Sequence, residues 1–194
     1  MAKVNRRQEI LEVLAHELEQ RTGSRITTSA LARAVGVSEA ALYRHFPSKA
    51  RMFEELIAFA EETVFGRISL ILEQEQGAQR RCELILTLLL TFAERNPGIT
   101  RVLLGDALVG EHDRLHTRVG RFFDRLETQL RQVIREATLG DELRNKGEAA
   151  ASAALLLAVA EGLMSRYVRS GFRDRPTGHW EAQWRTLREA IFRT

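Results

Sequence analysis

Gly36-Val37-Ser38-Glu39-Ala40-Ala41-Leu42-Tyr43-Arg44-His45-Phe46-Pro47-Ser48-Lys49 is the stretch on which the fold turns. Gly36 can take positive φ without a Cβ penalty and so stops a preceding helix. Ser38 supplies a hydroxyl for a free backbone N–H and starts the next one. Pro47 ends that helix near Phe46, because the residue before proline avoids the α region. Just upstream, Thr27 caps a helix over about Thr28 to Val35, with Leu31, Ala32 and Val35 turned inward. Two short helices joined by a tight turn, with Leu31, Val35, Val37 and Leu42 buried between them, form a helix-turn-helix. The outer face of the second helix then carries Ser38, Glu39, Ala40, Tyr43 and Arg44, groups that can reach base edges and phosphates. From the residues alone, Tyr43 as a surface aromatic, His45 as a packing residue and Lys49 as an ordinary surface lysine remain open.

Working outward, Ile10, Leu11, Leu14 and Leu18 give a first helix over about Asn5 to Gln20, broken at Gly23-Ser24. Ser48 caps a fourth helix that begins near Lys49 and runs past Phe65, carrying Met52, Phe53, Leu56, Ile57, Phe59 and Ala60. Further amphipathic helices are predicted over Ala78 to Arg95, ending at Asn96-Pro97-Gly98, over Ile99 to Val109, and over Asp113 to Ala137. Leu139 to Lys146 reads as a loop and Glu148 to Arg169 as a long helix. Arg175-Pro176-Thr177-Gly178 is a break before a last helix over His179 to Phe192. Strand signals are scarce. The expectation is an all-α chain: an N-terminal three-helix DNA-binding domain over 1–51 and a helical dimerisation and partner-binding domain over 52–194.

Charge supports that division. Residues 1–51 hold nine Lys/Arg against five Glu, while the whole chain of 194 residues carries only +3. A basic module on a near-neutral body suits a polyanionic partner for the module alone. The single cysteine, Cys82, excludes an internal disulfide and sits beside an apolar helix, so it is expected in the core. The greasiest run, Leu84 to Ala93, is about half the roughly 20 residues a membrane span needs, which makes it a core helix. With no signal-peptide pattern at the N-terminus, a cytoplasmic location is expected. His112 and His116 lie four apart, flanked by Glu111 and Asp113, and could place two metal ligands on one helix face, but no metal site is expected. No nucleophile triad, phosphate-cradling glycine loop or paired-cysteine motif occurs, so neither an enzyme nor a cofactor is expected.

The long helix over Glu148 to Arg169 is rich in small residues: Ala149, Ala150, Ala151, Ala153, Ala154, Ala158, Ala160 and Gly162. They let another helix come close, and Leu156, Ala160, Leu163, Met164 and Tyr167 are spaced to fill a seam with a second copy. The last helix, with Trp180, Trp184, Leu187 and Ile191, would complete a bundle. An intramolecular core for the same residues stays open.

The quoted stretch resembles the signature of the TetR family of DNA-binding regulators, including its closing Tyr-x-His-Phe-x-x-Lys, here Tyr43, His45, Phe46 and Lys49. That resemblance implies phosphate contacts from Thr27 and Thr28, and a backbone clamp by Tyr43, His45 and Lys49 while the recognition helix lies in the major groove. It also implies a homodimer on palindromic DNA. A longer resemblance, to the nucleoid occlusion branch of that family, rests on Glu94-Arg95-Asn96-Pro97-Gly98, Ala107-Leu108, Asp113-Arg114-Leu115, the run from Glu127 to Val133 and the run from Glu161 to Ser170. It implies binding to FtsZ, the tubulin-like GTPase of the division ring, whose C-terminal tail would dock on Phe59, Arg67, Leu88, Arg95 and Asn96. It further implies several dimers per DNA site and no small-molecule effector. An effector-responsive repressor of the TetR type is the alternative reading.

Overall fold

The computed structural model describes residues 6–21, 25–139 and 149–192. Among them there are nine α-helices and no β-strand. The order is α1 (Arg6–Gln20), α2 (Thr28–Val35), α3 (Glu39–His45), α4 (Lys49–Gln74), α5 (Ala78–Arg95), α6 (Pro97–Leu103), a 3-10 turn (Asp106–Leu108), α7 (Asp113–Leu139), α8 (Ala149–Arg169) and α9 (Trp180–Ile191). The expected break at Gly23-Ser24 and most of the expected loop over Leu139 to Lys146 lie outside the described residues.

The chain packs as two units, Met1–Ala60 with Asn96–Val119, and Glu61–Arg95 with Gly120–Thr194. The boundary expected at residue 51 is therefore not a break in packing. The first unit takes in α6, the 3-10 turn and the start of α7, because α6 packs closely on α1. Gly98 permits that approach: a Cβ there would stand 2.0 Å from the Ala15 carbonyl oxygen. Pro97, read from sequence as a terminator, is the first residue of α6, where its missing N–H costs nothing. The single helix expected over Ile99 to Val109 is broken at Gly105, whose φ is 77°.

Arg101 of α6 is 1% exposed. Its guanidinium donates to the carbonyls of Leu18 and Arg21, at 2.7 and 2.8 Å, and pairs with Asp106. Those carbonyls belong to the C-terminal end of α1, where backbone acceptors lack intrahelical partners and partial negative charge accumulates. A cation from elsewhere in the chain thus caps α1. Arg81 does the same for α4 in the second unit, donating to the carbonyls of Leu72 and Glu75 at 2.9 Å each.

The second unit is built on apolar packing. Ile85, Leu86, Leu89 and Leu90 of α5 are fully buried, as are Leu130 and Ile134 of α7. Tyr167 of α8 donates to the Glu94 carbonyl at 3.1 Å, and Trp180 of α9 donates to the Thr87 hydroxyl at 2.8 Å. Cys82 is buried as expected, and burial pushes its thiol up to about 12. The most membrane-like helix is not the Leu84 to Ala93 run but α8, long and apolar enough by length and composition. Its Leu156, Leu157, Leu163 and Met164 are nonetheless buried against the rest of the unit, as in a core helix.

Candidate nucleic-acid interface

The site is assembled from caps. Thr27, in extended conformation, accepts a hydrogen bond from the Ala30 N–H at 3.1 Å and starts α2. Gly36 closes that helix at φ 76°, and the Val37 N–H reaches back to the Ala32 carbonyl at 2.9 Å, a left-handed C-cap of the Schellman kind. Ser38 accepts from the Ala41 N–H at 3.1 Å and starts the seven-residue α3. Leu31, Ala32, Val35 and Leu42 are buried beneath the pair. With those four turned in, the opposite side of α3 is left to solvent.

Ser38, Glu39, Ala40 and Arg44 are exposed, and Tyr43 is 43% exposed. Thr27 is exposed, while Thr28 and His45 are half-buried. Arg33 of α2 is also exposed, a cation that neither capping nor periodicity singles out. The side chains of Ser38 and Ala40 are small enough to let the backbone of α3 approach a groove floor, while Tyr43 and Arg44 can reach its walls. The Thr28 hydroxyl donates to the Glu39 carboxylate at 3.0 Å, which ties the start of α2 to the start of α3. Glu39 is thus first a brace between the two helices.

Arg7 of α1 holds the other end of α3. It donates to the His45 carbonyl at 2.6 Å and stands 4.3 Å from the centre of the Phe46 ring. Phe46 itself is fully buried, so the aromatic of the closing motif is a core residue.

Lys49 requires a correction. Expected as a backbone clamp, its amine is turned inward: it donates to the Ile26 carbonyl at 2.7 Å and pairs with Glu111 at 2.6 Å. Its side chain is 15% exposed and that of Glu111 only 7%. Arg25 reaches the same place, donating to the Gly110 carbonyl at 2.6 Å. Lys49 and Glu111 therefore steady the Ile26-Thr27 segment from below. Glu111 lies 62 residues from Lys49 in the sequence, and no local pattern announces it.

Two other groups of expected residues divide. Phe59, 46% exposed, and Asn96, half-buried, line one cleft of about 240 Å³ with Leu11, Ala15, Leu56 and Ile99. Arg67, Leu88 and Arg95 belong to the second unit and are not part of that lining. Arg67 and Arg95 are exposed and Leu88 is half-buried.

The seam residues are the second correction. Leu156, Ala160 and Met164 are fully buried within the chain, and Leu163 and Tyr167 are 7% and 5% exposed. They fill the protomer's own core, the alternative left open above. α8 turns Ala150, Ala151, Ala154, Leu155, Ala158, Gly162 and, at its end, Arg169 to solvent, with Leu155 at 49%. Periodicity finds two faces on such a helix but does not say which is inside, because both are apolar.

Comparison with known proteins places these features. Residues 10–56 match the family model "Bacterial regulatory proteins, tetR family", and residues 76–191 match an SlmA-like "Tetracyclin repressor-like, C-terminal domain". The nucleoid occlusion factor SlmA of Shewanella woodyi is 55% identical over 192 residues, covering 99% of this chain and 98% of that one. Its namesake in Shewanella loihica is 54% identical with the same coverage. Among solved structures, the MbdR regulator from Azoarcus sp. CIB superposes with a TM-score of 0.82 at 16% identity, covering 94% of this chain and 96% of that one. A ketosteroid transcriptional regulator of Mycobacterium tuberculosis gives 0.78 at 18%, covering 99% and 98%. At such identities these structures speak for the fold alone, whereas identity and coverage together establish kinship: the chain belongs to the SlmA nucleoid occlusion factors, a branch of the DNA-binding tetR family and not a family of enzymes.

Proposed function

We propose that the protein is a cytoplasmic, nucleoid-associated homodimer that reads palindromic DNA and, while bound there, antagonises FtsZ assembly over the nucleoid. The observation that carries the DNA half is the solvent-facing side of α3, where Ser38, Ala40, Tyr43 and Arg44 stand out between two caps and a buried floor. Thr27 and Thr28 lie at the start of α2, where free N–H groups and side-chain hydroxyls suit a phosphate. Binding at such a face weakens steeply with salt as counterions return to the duplex.

The dimer surface moves to the outer stripe of α8, Ala151, Ala154, Leu155, Ala158 and Gly162, together with the exposed side of α9. Buried polar atoms of α9 lack partners among the described residues, namely Gln183 Oε1, Trp184 Nε1 and Arg188 Nε. Unmade bonds of this kind are costly in a finished surface, and a second copy would supply the missing groups. A two-fold dimer is also what a helix-turn-helix requires, since palindromic half-sites lie about one DNA turn, roughly 34 Å, apart.

FtsZ recognition follows the family. Phe59 and Asn96 flank an apolar cleft in the first unit; in the second unit Arg67 and Arg95 are exposed, and a guanidinium can hold a carboxylate with two parallel bonds. A tail that buries one or two side chains gains on the order of 1.5–3 kcal/mol from each before ordering costs, so single tails bind weakly and clustered dimers bind better.

The decisive experiment is polymerisation of purified FtsZ with this protein, with and without palindromic duplex. Suppression of assembly that is strongest with DNA, and lost in Arg95→Asp, is expected. Normal polymers at saturating protein and DNA would leave only a transcriptional role.

A further inference from the structure

In the second unit the segment between α8 and α9 forms a polar cleft of about 450 Å³, lined by Arg166, Arg173, Asp174, Arg175, Gly178 and His179. We infer that this cleft is a binding site for a small phosphorylated molecule bearing a diphosphate or a longer phosphate chain. Neither the DNA face nor the FtsZ reading uses these residues, and the family resemblance leaves no part for a small ligand.

Charge is the first ground. Three guanidiniums line the cleft against a single carboxylate. Arg175 stands 3.8 Å from Glu94, a loose pairing with its side chain 72% exposed. Arg166 and Arg173 have no ion pair among the described residues, and the Arg166 Nε is buried without a hydrogen-bond partner. A buried guanidinium nitrogen left unsatisfied is expensive unless something else arrives to accept its hydrogen. Planar forks on several arginines match the oxygens of phosphate better than any single point charge does.

Rigidity is the second. Phe172 has φ 63°, and it is the one non-glycine residue at positive φ among those described. Such a conformation costs energy and persists where the surroundings enforce it. Here the Phe172 ring packs edge-on against Tyr167 with centroids 5.2 Å apart. The N–H groups of Arg173 and Asp174 both donate to the Ser170 hydroxyl, at 3.1 and 2.9 Å. The Arg173 Nε donates to the Ser170 carbonyl at 2.8 Å, which leaves its terminal nitrogens for another acceptor. The loop is thus held in one shape before any ligand binds, the condition under which few contacts yield useful affinity.

The third ground is the start of α9, a 12-residue helix. His179 lines the cleft as its N-cap, and its side chain caps nothing. The first-turn N–H groups of α9 add partial positive charge beside the guanidiniums.

The test is calorimetric titration of the full chain with inorganic pyrophosphate and with ATP at about 0.15 M salt, where exposed charges are screened. Sulfate and a non-palindromic duplex serve as competitors. The expected result is one saturable site per chain, weakened about tenfold or more in Arg173→Gln and in Arg166→Gln, with palindromic DNA binding unchanged. Should Arg166→Gln lose its fold by circular dichroism, the exposed Arg173 decides alone. Absence of saturation by about 1 mM, or equal affinity in the wild type and Arg173→Gln, overturns the site. Displacement by sulfate at equal concentration, an adventitious ion only, overturns it too. Displacement by the duplex that disappears in Arg173→Gln reassigns the cleft to nucleic acid and rejects the small ligand.

Discussion

Both α3 and α8 turn small side chains to solvent, and for different ends. On α3, Ser38 and Ala40 sit among Tyr43, Arg44 and the nearby Arg33. On α8, the stripe from Ala151 to Ala158 contains no charged residue, and Leu155 stands out at 49% exposure. Small residues allow a close neighbour in both cases. What surrounds them selects it: cations and hydroxyls favour a polyanion, whereas an uncharged apolar stripe favours another helix. Support differs as well. The helices under the DNA face are fastened by long-range polar ties from Arg7, Lys49 and Arg101, while α8 is held chiefly by apolar burial.

The contrast can be broken at four points. The largest effect is expected in the fastening of the first unit. Arg101→Ala leaves the Leu18 and Arg21 carbonyls and the α1 terminus without their cation, at a cost of about 3–5 kcal/mol. Urea unfolding should show it, with DNA binding lost together with the fold; a loss under 1 kcal/mol would mean that the ties matter little. Next comes the α8 stripe. Ala158→Glu should raise the dimer dissociation constant by about 100-fold or more, since an unpaired charge would be buried at the seam. Sedimentation checks this, and an unaltered dimer would place the interface elsewhere. Tyr167→Arg, by contrast, should unfold the second unit, because Tyr167 is core.

A smaller effect is expected on α3 itself. Tyr43→Ala should weaken palindrome binding about tenfold, or about 1.4 kcal/mol, with the melting temperature unchanged. Affinity equal to wild type in anisotropy at moderate salt would discredit the face. The smallest concerns Glu161, beside Gly162 on α8. Burial first, and the Glu127 charge second, raise its carboxyl above the usual range. A carboxyl raised in the folded state favours the fold when protonated, and that contribution is lost as pH rises through the raised value. Glu161→Gln should therefore raise thermal stability slightly at neutral pH, with the gain fading in acid. A constant difference across pH would point to packing, not charge.

Much of this was legible beforehand because it is local. Thr27, Gly36, Ser38 and Ser48 act on N–H and carbonyl groups within five residues, so caps and turns can be read from neighbours alone. The register of α2 and α3 follows, and with it the side of α3 that faces out. Pro97 and Gly98 were legible only in part for the same reason. Their neighbours spell a stop, and α5 does end at Arg95, yet Pro97 also opens the next helix and Gly98 answers to Ala15, far away in the chain.

By itself the sequence determined the helical class, the helix-turn-helix with its outward α3, and the buried cysteine, all of which follow from side-chain period and capping at short range. Only the tertiary structure decided which apolar face of α8 is core, that Lys49 turns inward to Glu111, and that Arg101 closes α1. The physical reason is that burial and ion pairing are set by which surfaces meet. Partners some 60 to 80 residues apart leave no periodic trace in either segment.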